Sequence, residues 1–248
     1  MQTEFQANQF KILYQDDYIV AIHKPAGLLV HRSPIDKRET QFAVQITQDA
    51  IGKTVLPIHR LDKPTSGVLL FALDTSTANQ LSEQFREHTI NKTYLAICRG
   101  WTDKSGRIDT PLKYKLDKLA DKNKKTPSAP QSALTNYRTV AHTTMDHRIG
   151  EFDKQRYSLV ELNPATGRKH QLRRHLKQIS HQIIGDTKHG DRFHNQFFYK
   201  WLGQHRLYLA ATQLEFNHPK TTQKIIIKAP LEASFQHALN KLNFQPLI

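Results

Sequence analysis

Ile58-His59-Arg60-Leu61-Asp62-Lys63-Pro64-Thr65-Ser66-Gly67-Val68-Leu69-Leu70-Phe71 places one short acid in a polar loop ahead of an apolar run. Val55 to Ile58 and Gly67 to Leu73 read as strands, with His59 to Ser66 as the loop between them. Pro64 stiffens that loop and Gly67 gives it conformational freedom. Functional loops carried on rigid scaffolds have this anatomy. Asp62 fits an Asx-turn equally well, accepting from the Thr65 or Ser66 backbone with no function attached.

Working outward, Phe10 to Tyr14 and Tyr18 to His23 read as strands around Gln15-Asp16-Asp17, and Lys24-Pro25-Ala26-Gly27 breaks the pattern. Ala43, Ile46 and Ala50 follow helical spacing, with Gly52 as the stop. Asp74 or Thr75 is placed to cap a helix with the stripe Ala78, Leu81 and Phe85. Lys92 to Cys98 alternates, with Tyr94, Ala96 and Cys98 on one face and Thr93, Leu95 and Ile97 on the other. Leu134 to Val140, Tyr157 to Leu162, Arg206 to Phe216 and Gln223 to Lys228 read as further strands. Leu231, Phe235, Leu239 and Leu242 suggest a last helix. Strands and helices mix without βαβ alternation, which predicts an α+β fold with a mixed, largely antiparallel central sheet and flanking helices and loops. Residues 1–9 read as a flexible tail and 10–248 as a single catalytic domain.

A second segment, Asn163-Pro164-Ala165-Thr166-Gly167-Arg168-Lys169-His170-Gln171-Leu172-Arg173-Arg174-His175-Leu176, reads as a helix beyond Gly167. Leu172, Leu176 and Ile179 form its buried stripe. Arg173 lies about 100° round from Leu172 and flanks that stripe, whereas Arg174 points towards solvent. An arginine there can reach inward to a carboxylate with its planar fork, or belong to an ordinary solvated basic helix.

The 248 residues carry 36 Lys+Arg against 22 Asp+Glu, a formal net charge of +14, which favours a polyanionic partner. Arg168 to Lys177 holds five Lys/Arg, two His and no acid; Lys113 to Lys125 holds six Lys against two Asp. Such clusters are the footprint of a nucleic-acid binder. The longest strongly apolar run, Val68 to Leu73, falls far short of the ~20 residues that span a bilayer. The first residues lack the pattern of a signal peptide, and one cysteine makes no internal disulfide or CxxC site. A reducing, cytoplasmic location is expected, with no membrane partner and no obligate protein partner.

The stretch HRLDKPTSGVLLFA resembles the catalytic motif of the RluA family of pseudouridine synthases. NPATGRKHQLRRHL followed by HQIIGDTKHGD is similar to the family's downstream arginine motif, and KPAGLLVH and KTYLAICRG also match in the family's order. RKHQLRRHL, HRSPID and the Lys-rich LDKLADKNKK resemble, within the family, the member acting on tRNA. A separate S4-like RNA-binding domain, which many relatives carry, is not expected. The resemblance implies the pseudouridine synthase fold and the isomerisation of a uridine to pseudouridine in RNA, most naturally tRNA. The uridine implied lies at the end of the T stem next to the acceptor stem. It implies Asp62 as the catalytic aspartate and Tyr94 as the ring packed under the target base. It implies Arg173 as the basic partner of the aspartate, and Arg60 as the arginine filling the gap left by a flipped nucleotide. His59, Arg168, His170, Lys122 and Lys124 complete the expected substrate contacts.

Detaching uridine at N1–C1′ and rejoining it through C5 involves no redox or hydrolysis, so no cofactor and no metal are expected. An ionised Asp62 can attack C1′, add to C6 or take the C2′ proton. His170, His175, His181, His189 and His194 cluster in sequence but lack HExxH spacing and a supporting cysteine, so no zinc site is expected. Cys98 reads as a buried strand residue. A ribosomal RNA synthase and a non-catalytic RNA-binding module remain the competing readings, with a metal nuclease more distant.

Overall fold

The structure, a computed structural model, describes residues 10–32, 39–114 and 129–246. The tail read at 1–9 and Lys122 and Lys124 of the Lys-rich run lie outside the described residues. The chain divides into two compact units interleaved in sequence. One takes Met1–Asn91, Lys113–Gln131 and Gln213–Pro230; the other takes Lys92–Leu112, Ser132–Thr212 and Leu231–Ile248.

In the first unit β1 (Lys11–Gln15) pairs antiparallel with β2 (Ile19–Lys24), and β2 with β4 (Ser66–Ala72). β3 (Leu56–Pro57) also pairs with β4, and β10 (Lys224–Lys228) pairs with the end of β9 (Leu209–Asn217). β4 is buried at every position, which is why its sequence shows no alternation. Ile19, Ala21, Val68, Leu70, Leu81, Leu214, Phe216 and Ile227 form this unit's core. α1 (Ala43–Ile51) stops at Gly52, whose φ of 65° is the left-handed cap that glycine adopts without cost. α2 (Thr75–Arg86) starts at Asp74, whose carboxylate accepts from the Thr77 amide at 2.8 Å. The expected strand from Val55 shrinks to two residues because Pro57 has no N–H to carry the ladder on.

In the second unit β5 (Asn91–Arg99) pairs with β8 (Phe152–Pro164), and β8 with β7 (Leu134–Ile149), all antiparallel. β6 (Ser105–Asp109) and β11 (Gln245–Pro246) flank β7. The two faces of β5 divide as its alternation predicts. Ala96 and Cys98, with Tyr94 packed against them, join Leu162, Leu172 and Leu176 on the side of α3 (Gln171–Gln178). Ile97 joins Tyr157, Phe198, Tyr208 and Phe235 on the side of α4 (Arg192–Leu202) and α5 (Ala233–Leu242). Burying Leu172 and Leu176 contributes roughly 1.5–3 kcal/mol each.

Neither α4 nor β6 is anticipated from sequence, and β7 runs nine residues past the expected end at Val140. β6 is a short polar edge, and α4 buries a mainly aromatic stripe. These α+β elements around antiparallel pairs match the expected fold class.

Candidate active site

Asp62 sits in the first unit, partly buried, on the loop between β3 and β4. The Thr65 amide donates to the Asp62 backbone carbonyl at 2.9 Å, so that amide is satisfied without drawing on the carboxylate. A fully buried cation holds the loop from below. Lys24 donates its Nζ to the carbonyls of Pro25 and Leu28, both at 2.8 Å, and of Lys63 at 3.1 Å. The Gly27 amide donates to the same Lys63 carbonyl at 2.8 Å from a left-handed φ of 91°. Pro25-Ala26-Gly27 thus serves as the seat of the Asp62 loop as well as a break in the strand pattern. The sequence signal for Lys24 is a lysine ending the buried run Ile19–Lys24.

Two expected substrate contacts stand on the same loop. His59 Nε2 accepts the Leu70 amide at 2.9 Å, and its ring stacks on Phe85 at 5.0 Å between centroids. The imidazole thereby takes the amide that the short β3 leaves to it, and braces the loop against β4 and α2. Arg60 is exposed, and among the described residues it has no carboxylate partner. Lys63 forms an ion pair with Glu39 at 2.9 Å.

In the second unit, Tyr94 stands on β5 opposite Leu162, partly buried against its face of the sheet. Two residues earlier, burial pushes the Lys92 ammonium down to about 8. It reaches the Thr166 carbonyl at 3.4 Å.

Arg173 on α3 is buried, not merely flanking the apolar stripe. Its Nε donates to Asp186 Oδ2 and its Nη2 to Asp186 Oδ1, both at 2.7 Å. This is the two-point planar contact that an arginine, not a lysine, makes. Asp186 Oδ1 also accepts the Lys188 and His189 amides at 2.9 Å. Burial by itself would raise the Asp186 carboxyl, but the Arg173 fork and these amides outweigh it and hold it below the usual carboxylate range. Asp186 lies in a loop between Gly185 and Gly190, where no periodic pattern in the sequence points to it.

Other basic residues around α3 are engaged. Arg168 donates from Nε to the Ser132 carbonyl at 3.0 Å. His170 adopts a left-handed φ of 54° ahead of α3, and its Nδ1 meets His189 Nε2 at 2.9 Å. Gln171 anchors the helix, accepting from Thr166 Oγ1 and the Arg168 amide and donating to the Leu134 carbonyl and Thr135 Oγ1. The other three clustered histidines have separate tasks: His175 on Thr135 and Thr110, His181 on the Arg99 carbonyl, His194 on the Tyr157 hydroxyl. Among the described residues, no three His, Cys, Asp or Glu converge as metal ligands. Cys98 is buried, and desolvation pushes its thiol up, away from thiolate chemistry. Among the described residues no helix is long and apolar enough to cross a membrane.

The RluA-type motifs point to Asp62 in the first unit and to Tyr94 and Arg173 in the second. The comparisons carry the matter further. Residues 18–178 match the family model described as RNA pseudouridylate synthase. Over 236 residues the chain is 52% identical to the protein of Haemophilus ducreyi named tRNA pseudouridine synthase C, covering 95% of this chain and 97% of the other. The Vibrio cholerae protein of the same name is 48% identical over 235 residues, covering 95% and 96%. Among solved structures, Human RNA Pseudouridylate Synthase Domain Containing 4 superposes with a TM-score of 0.69 at 28% identity, covering 95% of this chain and 94% of that one. With more than half its length on the family model and relatives matched almost end to end, this chain belongs to the RNA pseudouridylate synthases.

Proposed function

We propose that this synthase converts one uridine of tRNA to pseudouridine, at the end of the T stem beside the acceptor stem, in the cytoplasm. Alignment over 95% of the chain, at 48% and 52% identity, with proteins named tRNA pseudouridine synthase C is the observation that carries the reading. The reaction breaks the N1–C1′ bond and forms C5–C1′; N1 gains a proton and C5 loses one. Atoms balance without an oxidant, a reductant or a co-substrate, so the chain's own side chains suffice.

A base stacked in a helical arm is out of reach and has to be flipped, at a cost of a few kcal/mol. Exposed Arg60 is suited to fill the vacancy and meet phosphate. Asp62 supplies the reactive carboxylate, and Tyr94 offers its ring to the flipped base. Arg173 supplies the fixed positive charge of the site. Arg168, His170, Lys122 and Lys124 are proposed contacts to the RNA backbone, whereas His59 serves the substrate by bracing the loop that carries Asp62 and Arg60.

The test uses RNA labelled with tritium at uridine C5 and purified from cells lacking this protein. Purified enzyme should release tritium from the tRNA pool and leave the ribosomal pool untouched, and mapping should place the new pseudouridine in the T stem. Release from ribosomal RNA alone would overturn the substrate, and release from neither would overturn the reaction.

A further inference from the structure

α4 opens at Asp191, whose carboxylate accepts the Phe193 and His194 amides at 2.9 and 3.2 Å. One turn on stands Asn195, a poor helix former whose side chain turns away to the loop before the helix. Its Oδ1 accepts the Gly185 amide at 2.7 Å, and its Nδ2 donates to the Asp186 carbonyl at 2.9 Å. The Gly190 amide donates to that carbonyl too, at 2.9 Å. One side-chain amide therefore grips the backbone on both sides of the Asp186 Cα.

The loop has little freedom otherwise. Gly185 has φ of 80°, and a Cβ there would come within 1.7 Å of the Arg206 carbonyl oxygen. A Cβ at Gly190 would come within 2.3 Å of the Asp186 carbonyl oxygen. The Asp186 backbone is thus fixed by Asn195 and by tight approaches, while the Asp186 carboxylate fixes two donors of the Arg173 guanidinium. The contacts run in one direction: α4 to Asn195, Asn195 to the Asp186 backbone, Asp186 to Arg173.

We propose that Asn195 is a positioning residue for the reaction, setting through Asp186 the place and plane of the Arg173 guanidinium. This rests on the reading of Arg173 as a catalytic residue. A displacement of about 1 Å in a group that acts on the transition state can cost on the order of 100-fold in rate, so a residue that never touches RNA can still control turnover.

The test is a double-mutant cycle between Asn195→Ala and Arg173→Lys, read as single-turnover rates with saturating tRNA, beside tRNA Kd and melting temperature. Arg173→Lys by itself should slow the reaction about 100-fold, because an ammonium cannot keep the two-point contact. Asn195→Ala should slow the wild type about tenfold with Kd within about twofold, and should add less than about twofold to Arg173→Lys. Asn195→Asp keeps the acceptor for Gly185 but sets an oxygen against the Asp186 carbonyl, so it should follow Asn195→Ala and stands in for it if the alanine variant fails to fold. A wild-type rate in the folded Asn195 variant, or the same factor lost in both backgrounds, would overturn the positioning role. A wild-type rate for Arg173→Lys would instead overturn the role of Arg173 on which it rests.

Discussion

Lys24 and Asp186 are buried ions, one in each unit, and each is satisfied in its own way. Lys24 is a point charge on a flexible stem, donating to three backbone carbonyls and so holding the Asp62 loop by its main chain. Asp186 is a planar acceptor that takes a guanidinium edge-on and so holds a side chain, Arg173, in orientation as well as place. The first device sets where a loop runs by gripping its main chain. The second makes the side chain part of the lock. Activity and stability should therefore separate on the Asp62 loop and fall together around Arg173.

The strongest way to break that contrast is Asp62→Ala. Pseudouridine formation should vanish while tRNA affinity stays within about tenfold, since affinity comes from the basic surface. The variant should melt close to wild type because the loop's backbone anchors survive. Measurable turnover, or a collapse in melting temperature, would refute the separation.

Asp186→Asn is the opposite case. It leaves the buried Arg173 charge without its anion, which costs about 3–5 kcal/mol, and turnover should fall with stability. pH sharpens the prediction. The Asp186 carboxyl is held below its unfolded value, so its stabilisation is complete above about pH 4 and disappears as pH falls through the folded-state value. Melting temperatures from pH 7 to pH 3 should drop more steeply for the wild type than for Asp186→Asn, and parallel curves would contradict the pairing.

Lys24→Met should lower stability by about 3 kcal/mol, as the carbonyls of Pro25, Leu28 and Lys63 lose their shared charged donor. A denaturant midpoint equal to wild type would show that the loop keeps its seat without the lysine. The smallest effect is expected where neither device operates. Replacing Lys118, Lys122, Lys124 and Lys125 with Gln should weaken tRNA binding and flatten its salt dependence, by about 0.9 in log–log slope per lost duplex phosphate contact. The maximal single-turnover rate should be almost unchanged. Isotherms at two salt concentrations test this, and unaltered slopes would remove the lysines from the RNA contact.

The same contrast explains which parts were legible in the sequence. Period-two alternation in β5 sorted Tyr94, Ala96 and Cys98 from Leu95 and Ile97 onto the two faces they occupy, because a half-turn per residue is a strong local signal. Asp74 and Gly52 marked helix ends for equally local reasons. The Asp62 loop was visible because it lies between apolar runs. Asp186 and Asn195 were not, since their partners are a loop backbone and a helix side chain brought together only by folding. Arg173 was read as a marginal residue for the same reason: its burial depends on an acid 13 positions further on. α4 carries no aliphatic periodicity, because its apolar stripe is mainly aromatic.

The interleaving of the two units has a consequence for the order in which the protein is made. The first unit's core needs Leu214, Phe216 and Ile227, and the second needs Phe235, Ala238 and Leu242. Neither of these two clusters can close until those residues have left the ribosome, whereas the second unit's cluster on the α3 side needs nothing beyond Leu209. Until then Ile19–Ile22 and Val68–Ala72, buried strands in the finished molecule, stay uncovered on the nascent chain. Such uncovered strands invite wrong pairing and aggregation. A nascent chain that ends before residue 213 therefore lacks part of the first unit's core and part of the second unit's core on the α4 side.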